Sequence, residues 1–147
     1  MIDTMPTADV ANADRFERIG VAATPELVAR TRDEFAQWLR RFFQLDAERS
    51  SDLVLAANEA LTNSAEFAYV ATGGGTMDLH AWHDSGDSTI TVVVADHGVW
   101  HMPETHDDSR TRGRGIPLMR ALSDRAAIET SLDGTLVRLV WGNVARR

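Results

Sequence analysis

Two pairs of strand-like segments, each joined by a short turn, constrain the fold of this chain more than any other feature of its sequence. In the first pair, "MDLHAWH" and "TITVVVAD" flank "DSGDS"; in the second, "RAAIET" and "TLVRLVWG" flank "SLDG". Apolar or alternating runs joined by short glycine-containing turns predict β-hairpins. Hairpins without strand–helix–strand alternation predict an α+β protein. We therefore expect a two-layer sandwich, with a mixed, mostly antiparallel sheet and helices packed on one face.

Two helices are predicted before the hairpins and a third between them. In residues 24–44, Thr24 is a suitable N-cap, Pro25 fits the first helical position, and apolar residues recur at helical spacing. A second helix is predicted from about Asp46 to Tyr69, and the glycine-rich "ATGGGT" that follows is predicted to end it. A short helix is predicted over residues 116–124.

Length and composition narrow the class of protein. The expected organisation of the 147 residues is a flexible tail over residues 1–13 and a single domain over residues 14–147. A net charge of −7 argues against direct nucleic-acid binding, which needs a basic face. There is no cysteine, no apolar run of membrane-spanning length and no signal-peptide core. We expect a cytoplasmic protein that is not bound to a membrane.

One acid and one carboxamide stand a helical turn apart in the second predicted helix, in "NEALTNSAEFAY". Because residues four apart share a helix face, Glu59 and Asn63 lie side by side. An asparagine oxygen is an acceptable ligand for Mg²⁺, and a glutamate beside the metal can act as a general base. The alternative is a solvated glutamate and an asparagine that forms a local hydrogen bond. When the pair is considered alone, this alternative is the better explanation.

A second candidate site ends an apolar strand in "VVVADHG". The carboxylate of Asp96 can accept a hydrogen bond from an exocyclic amine, and Gly98 would let a flat ring approach the backbone. An ordinary turn after a strand is at least as good an explanation when this motif is taken alone.

A third candidate lies in "RTRGRGIPLMRAL". Gly113 and Gly115 precede a predicted helix start, where free backbone amides attract phosphate, and Arg112 and Arg114 add positive charge. The spacing does not match a P-loop, and no strand precedes it as a dinucleotide-binding fingerprint requires.

A long stretch without periodicity separates the second and third candidates. Residues 97–114 are predicted to form a functional lid, since such segments inside a compact domain are usually functional. His97, His101 and His106 in this stretch match no zinc signature, so no metal site is predicted there.

The order of these motifs resembles the GHKL, or Bergerat-fold, ATPases. "NEALTNSAEFAY" resembles the N box of that superfamily, "VADHG" its first glycine box, "RGRGIPLMRAL" its second, and "DGTLVRLVW" its closing Gly-Thr strand. The resemblance covers residues 15 to 142. The short length, with no phosphoacceptor histidine in a helix pair, makes the chain similar to the anti-sigma-factor serine/threonine kinases in particular.

The resemblance implies a nucleotide site that uses ATP and Mg²⁺. Glu59 would be the catalytic base and Asn63 the Mg²⁺ ligand. The cofactor-binding residues would be Asp96, Gly98, Gly113, Arg114, Gly115 and Thr135. The sequence departs from the family at Trp100, where a glycine is usual, and at Phe67, where a histidine or basic residue is common.

Three functions follow from this resemblance. The first is an anti-sigma factor with ATP-dependent serine/threonine kinase activity, which would bind a sigma factor and phosphorylate a STAS-domain antagonist, and which could form a homodimer. The second is a nucleotide-sensing or nucleotide-free switch that binds a partner without phosphotransfer, a reading that Trp100 favours. The third is the ATPase domain of a larger sensor kinase.

Overall fold

A computed structural model describes residues 9–69, 73–98 and 115–147 of the chain. The helices in these residues are α1 (Pro25–Phe42), α2 (Ala47–Phe67) and α3 (Gly115–Leu122). The strands are β1 (Val10–Ala11), β2 (Arg15–Ala22), β3 (Phe43–Gln44), β4 (Thr76–Asp84), β5 (Thr89–Asp96), β6 (Arg125–Ser131), β7 (Gly134–Trp141) and β8 (Ala145–Arg146).

The strands form a six-stranded sheet in the order β1-β2-β4-β5-β7-β6, and β3 pairs with β8 in a separate two-stranded sheet. Both predicted hairpins are present, as β4–β5 and β6–β7. The predicted α+β architecture is confirmed. Every pairing between described strands is antiparallel, which agrees with the predicted mostly antiparallel sheet, and no parallel pair is present among them.

One face of the sheet carries the helices and the core. In β4, Met77, Leu79 and Ala81 are buried while the residues between them are partly or fully exposed. Because successive side chains of a strand point to opposite faces, this alternation identifies a single covered face. Helix α2 lies over β4, β5 and β7, and its small buried residues Ala57 and Ala60 let its backbone come close to the sheet.

An aromatic cluster joins α1 to the sheet at the end of the domain formed by β3 and β8. Phe16, Phe35, Trp38 and Phe43 are all buried, and neighbouring ring centroids lie 4.8–5.9 Å apart. For Trp38 and Phe43 the structure shows core packing.

The helix starts follow their sequence signals more closely than the end of α2 does. The Thr24 side chain accepts a hydrogen bond from Leu27 N at 3.3 Å, and Asp46 accepts one from Arg49 N at 2.7 Å. Helix α2 ends at Phe67, six residues before Gly73, although the glycine-rich segment had been predicted to end it. The chain leaves the helix where the Tyr69 side chain bonds to the backbone of the sheet.

The described N-terminal residues belong to the sheet. Val10 and Ala11 fall inside the segment predicted as a flexible tail, and they pair with Glu17 and Phe16 of β2. Residues 1–8 lie outside the described residues. None of the described helices is both long enough and apolar enough to cross a membrane.

Candidate functional site

Helix α2 carries the predicted catalytic pair at the border between core and surface. Asn63 is 3% exposed and Glu59 is half-buried one turn earlier. The four-residue separation corresponds to a rise of about 6 Å along the helix. The same helix packs against β5, β7 and α3, so it brings this pair towards the strands that carry the other predicted site residues.

Two buried polar atoms in the described part of the chain have no hydrogen-bond partner. They are the side-chain amide nitrogen of Asn63 and the hydroxyl oxygen of Thr135. A buried polar group without a partner costs about 1–3 kcal/mol, so such groups call for an explanation. Both belong to the predicted nucleotide site, and a polar ligand there would supply the missing partners.

Burial and a like charge raise the pKa of Glu59. Desolvation is the larger cause, and the carboxylate of Glu66, seven residues later on α2, is the second. A carboxylate with a raised pKa binds a proton more strongly, which is the direction that a general base near neutral pH requires. Perturbed pKa values concentrate at functional sites, although structural networks also produce them.

Asp96 ends β5 and is surrounded by hydrogen-bond donors. Its carboxylate is 3% exposed and accepts a hydrogen bond from the Ser64 hydroxyl at 2.7 Å. It also accepts hydrogen bonds from Thr135 N at 3.2 Å and from Gly98 N at 3.3 Å. Asp96 and Thr135 are partners in the β5–β7 register, so the sheet itself brings these two predicted site residues together.

Ser64 was not among the site residues predicted from the sequence. It lies among the buried small and apolar residues of α2, which include Ala57, Ala60 and Leu61. The hydroxyl is 1% exposed and bonds directly to Asp96. A serine in a stripe of buried alanine and leucine residues was the available signal, since a buried hydroxyl needs a partner.

Two glycines of the site are required by close contacts within the protein. A Cβ added at Gly98 would lie 2.0 Å from the carbonyl oxygen of Ala68, and one added at Gly134 would lie 2.0 Å from the carbonyl oxygen of Asp96. Gly134 also has φ +153°, which L-residues rarely adopt. The predicted role of Gly98, giving a ring access to the backbone, stays a prediction beside this packing role.

The structure describes only part of the predicted phosphate-binding segment. Gly115 is the first residue of α3, one residue earlier than the predicted helix start at residue 116, and its phosphate-binding role stays a prediction. Gly113 and Arg114 lie outside the described residues, together with Arg112, Trp100, His101, His106 and most of the predicted lid. Their proposed roles therefore stay predictions.

A cavity of about 340 Å³ opens beside Asp96 and Thr135. The β6–β7 hairpin supplies most of its walls, including the carboxylates of Glu129 and Asp133. Ala95, Leu136 and Glu129 in its lining are register neighbours on β5, β7 and β6, one position along from Asp96 and Thr135. Because successive side chains of a strand point to opposite faces, these three lie on the face of the sheet away from α2, and the cavity is not part of the predicted nucleotide site.

The donor set fits Mg²⁺ and ATP. Among the described residues, no group of three or more histidines or acids could hold a metal by itself. Mg²⁺ needs no such group, because it usually keeps several waters and takes one or two protein ligands together with the phosphates. The unpartnered amide nitrogen of Asn63 is a donor that suits a phosphate oxygen, and the carboxamide oxygen is the atom that would ligate Mg²⁺.

This geometry defines a two-layer α+β domain in which one helix carries an acid–amide pair and the adjoining strands carry an aspartate and a threonine. The chain belongs to the histidine kinase-like ATPase domain family, whose model matches residues 21–141. The GHKL fold that the motifs predicted is thereby confirmed.

Two solved structures show the same fold. One is the structure of the RsbU and RsbW domains of Rv1364c from Mycobacterium tuberculosis, with 20% identity and a TM-score of 0.68 over 90% of this chain and 33% of that one. The other is the histidine kinase domain of the Erythrobacter litoralis EL346 blue-light activated histidine kinase. It shows 20% identity and a TM-score of 0.58 over 80% of this chain and 59% of that one. This chain thus spans between a third and three-fifths of these structures.

Proposed function

We propose that this protein is an anti-sigma factor with ATP-dependent serine/threonine kinase activity. It would bind a sigma factor in the cytoplasm and phosphorylate a STAS-domain antagonist of that binding. The observation that carries the proposal is the placement of Glu59 and Asn63 on one helix, beside the buried cluster of Ser64, Asp96 and Thr135. The family of the chain and the structural likeness to an RsbW domain support it.

The residues divide the work between two ends of the site. Asp96 accepts a hydrogen bond from the amino group of adenine. The unpartnered Thr135 hydroxyl supplies a second polar contact to the base. At the other end Asn63 would hold Mg²⁺, which neutralises charge on the phosphate oxygens. Glu59 orients the serine hydroxyl of the antagonist and accepts its proton. Positioning and charge stabilisation account for most of phosphoryl transfer, so this small set of residues is sufficient.

Replacement of Glu59 tests the kinase assignment. Glu59→Gln keeps the size of the side chain and removes the proton acceptor. Single-turnover transfer from γ-³²P-ATP to the STAS-domain antagonist should fall by about 10²–10⁴-fold, the usual contribution of a general base. ATP affinity should be retained, because Glu59 acts on the hydroxyl and not on the nucleotide.

Glu66→Gln is the matched control on the same helix. Transfer at its optimal pH should be close to that of the wild type. Because the charge of Glu66 raises the pKa of Glu59, its removal should lower that pKa. The base would then stay deprotonated in more acidic solution, and the acid limb of the pH–rate profile should move to lower pH. Equal transfer by wild type and Glu59→Gln would remove Glu59 from the mechanism.

The assignment of partners needs a separate measurement. Co-purification with a sigma factor, released when the unphosphorylated antagonist is added, is the expected behaviour. A wild-type protein that holds the sigma factor and shows no transfer to the antagonist would support the alternative of a switch module without phosphotransfer.

A further inference from the structure

The last turn of α2 and the two residues after it hold three consecutive residues, Asp96 to Gly98, at the end of β5. The Ser64 hydroxyl donates to the Asp96 carboxylate at 2.7 Å. The carbonyl of Ala68 lies so close to Gly98 that a Cβ there would approach it to 2.0 Å. Between these contacts, His97 N donates to the Tyr69 hydroxyl at 2.9 Å. The Asp96–Gly98 turn therefore depends on α2 for its position.

Tyr69 connects this turn to a second strand as well. Its hydroxyl donates to the carbonyl oxygen of Thr76, the first residue of β4, while it accepts from His97 N. A phenol oxygen can donate one hydrogen bond and accept others, so both contacts are compatible. The single hydroxyl thus joins the end of α2, the start of β4 and the end of β5.

Glycines on both sides make room for the Tyr69 ring. A Cβ added at Gly75 would lie 2.2 Å from the ring carbon Cε1, and one added at Gly98 would lie 3.0 Å from Cδ1. The ring is therefore confined between the segments before β4 and after β5. Such confinement fixes the position of the hydroxyl, because few rotamers remain open to the side chain.

We propose that Tyr69 is a positioning residue for the base of the bound nucleotide, acting through the Asp96–Gly98 turn. This inference rests on the nucleotide-binding part of the proposed function. The base donates a hydrogen bond to the Asp96 carboxylate. The direction of that carboxylate depends on the backbone of the two residues that follow it. Gly98 N bonds to the carboxylate itself, so a displaced turn would also displace this donor. The phosphates are held elsewhere, so loss of the tyrosine hydroxyl should not change their binding.

Tyr69→Phe is the variant that isolates the hydroxyl, because the ring stays between the two glycines. Affinity for Mg-ATP should fall about 3- to 10-fold, the effect of one neutral hydrogen bond. Affinity for Mg-tripolyphosphate, which has the phosphates without a base, should stay unchanged. In the free protein, the His97 amide should exchange its hydrogen faster than in the wild type, since it loses its acceptor.

Two further variants separate positioning from general stability. Gly75→Ala should displace the Tyr69 ring and give the same selective loss of ATP affinity. Combined with Tyr69→Phe it should add little, because both changes act through one hydroxyl. Thr89→Val is the control, since it removes a hydroxyl hydrogen bond, to Asp87 at 2.7 Å, at the opposite end of β5. It should leave both affinities unchanged.

The outcomes distinguish this inference from the proposed function. If the wild type and Tyr69→Phe bind ATP equally well, the proposed role of Tyr69 is wrong and the kinase proposal is unaffected. Equal losses for ATP and tripolyphosphate would also overturn that role, because they would indicate a general structural effect. A wild type that binds no ATP would overturn both.

Discussion

At the scale of single residues, Asp96 is held in a way that determines what an amide would do in its place. The carboxylate accepts hydrogen bonds from two backbone N–H groups, those of Gly98 and Thr135, through the same oxygen. An asparagine at this position would turn its carbonyl oxygen towards these donors. Its NH₂ group would then occupy the position of the other carboxylate oxygen, which now accepts from Ser64.

Asp96→Asn should therefore weaken ATP binding by about 1.5–3 kcal/mol, the usual contribution of a hydrogen bond to a charged group. The amino group of adenine would meet a donor instead of an acceptor. GTP should bind the wild type poorly and should lose much less in the variant, because its exocyclic oxygen accepts hydrogen bonds. Calorimetry with both nucleotides measures the difference. Equal affinity of the wild type for ATP and GTP would contradict the adenine assignment.

Sequence patterns could place some site residues and not others. Asp96 and Thr135 stand at the ends of recognisable strands, and Glu59 and Asn63 show helical spacing, so their positions follow from local periodicity. Ser64 and Tyr69 act through residues 28–32 positions away in the chain. No local pattern encodes such contacts, because they depend on how α2 packs on the sheet.

At the scale of elements, one carboxylate ties the start of α2 to the ends of α3 and β7. Asp124 accepts hydrogen bonds from Gly142 N at 2.7 Å and from the Arg49 guanidinium at 3.1 Å. The same guanidinium donates to the Gly142 carbonyl oxygen at 2.6 Å. The backbone hydrogen bond from Gly142 is the main cause that lowers the pKa of Asp124, and Arg49 lowers it further.

Asp124→Asn should lower the free energy of unfolding at neutral pH by about 1 kcal/mol, a modest value because the side chain is half-exposed. A lowered pKa means that the folded protein favours the charged form. Its contribution is present above the ordinary pKa of an aspartate and is lost as the pH falls through the folded value. The difference between variant and wild type should therefore shrink in acid.

Urea unfolding at neutral pH and near pH 3 would test this expectation. Asp52→Asn is the control, since Asp52 lies on α2 near Arg49 and its side chain has no hydrogen bond to any described residue, and it should change stability little at either pH. A loss in Asp124→Asn that stays constant across this range would show that the charge of Asp124 does not contribute.

Helices and strands were predicted accurately where a long periodic pattern existed. Strands of only two residues were not predicted. The two-residue strands β1, β3 and β8 carry no periodicity of their own and exist through pairing with other parts of the chain. The order of the strands in the sheet could not be predicted from the sequence either. A hairpin pattern defines two neighbours, but the contact between β5 and β7 that joins the hairpins is long-range.

At the scale of the whole molecule, ligand binding should appear as stability. A ligand present at 100 times its dissociation constant stabilises the folded state by about 2.7 kcal/mol. For a chain of this length that corresponds to a rise in melting temperature of roughly 5–10 °C. Mg-ATP should produce such a rise, and ATP with a chelator should produce a smaller one.

Asn63→Ala should abolish the difference between these two conditions, because it removes the proposed ligand of Mg²⁺. Asn58→Ala is the matched control, since it makes the same change on the same helix, where the Asn58 side chain accepts a hydrogen bond from Arg32 of α1 and is not buried as Asn63 is. Differential scanning fluorimetry with and without Mg²⁺ measures both variants. A magnesium-dependent shift that survives in Asn63→Ala would place the ion elsewhere.

Helix α2 also sets the spacing between the two ends of the proposed nucleotide site. In the proposed site, Glu59 and Asn63 would serve the phosphate end and Ser64 and Tyr69 would position the base end, from α2 and the residues that follow it. The rise from Glu59 to Ser64 within α2 is thus fixed at about 7.5 Å. One residue inserted between them would rotate one group relative to the other by about 100°. Natural variation in length should therefore be confined to the loops of such a domain and be absent from this stretch of α2.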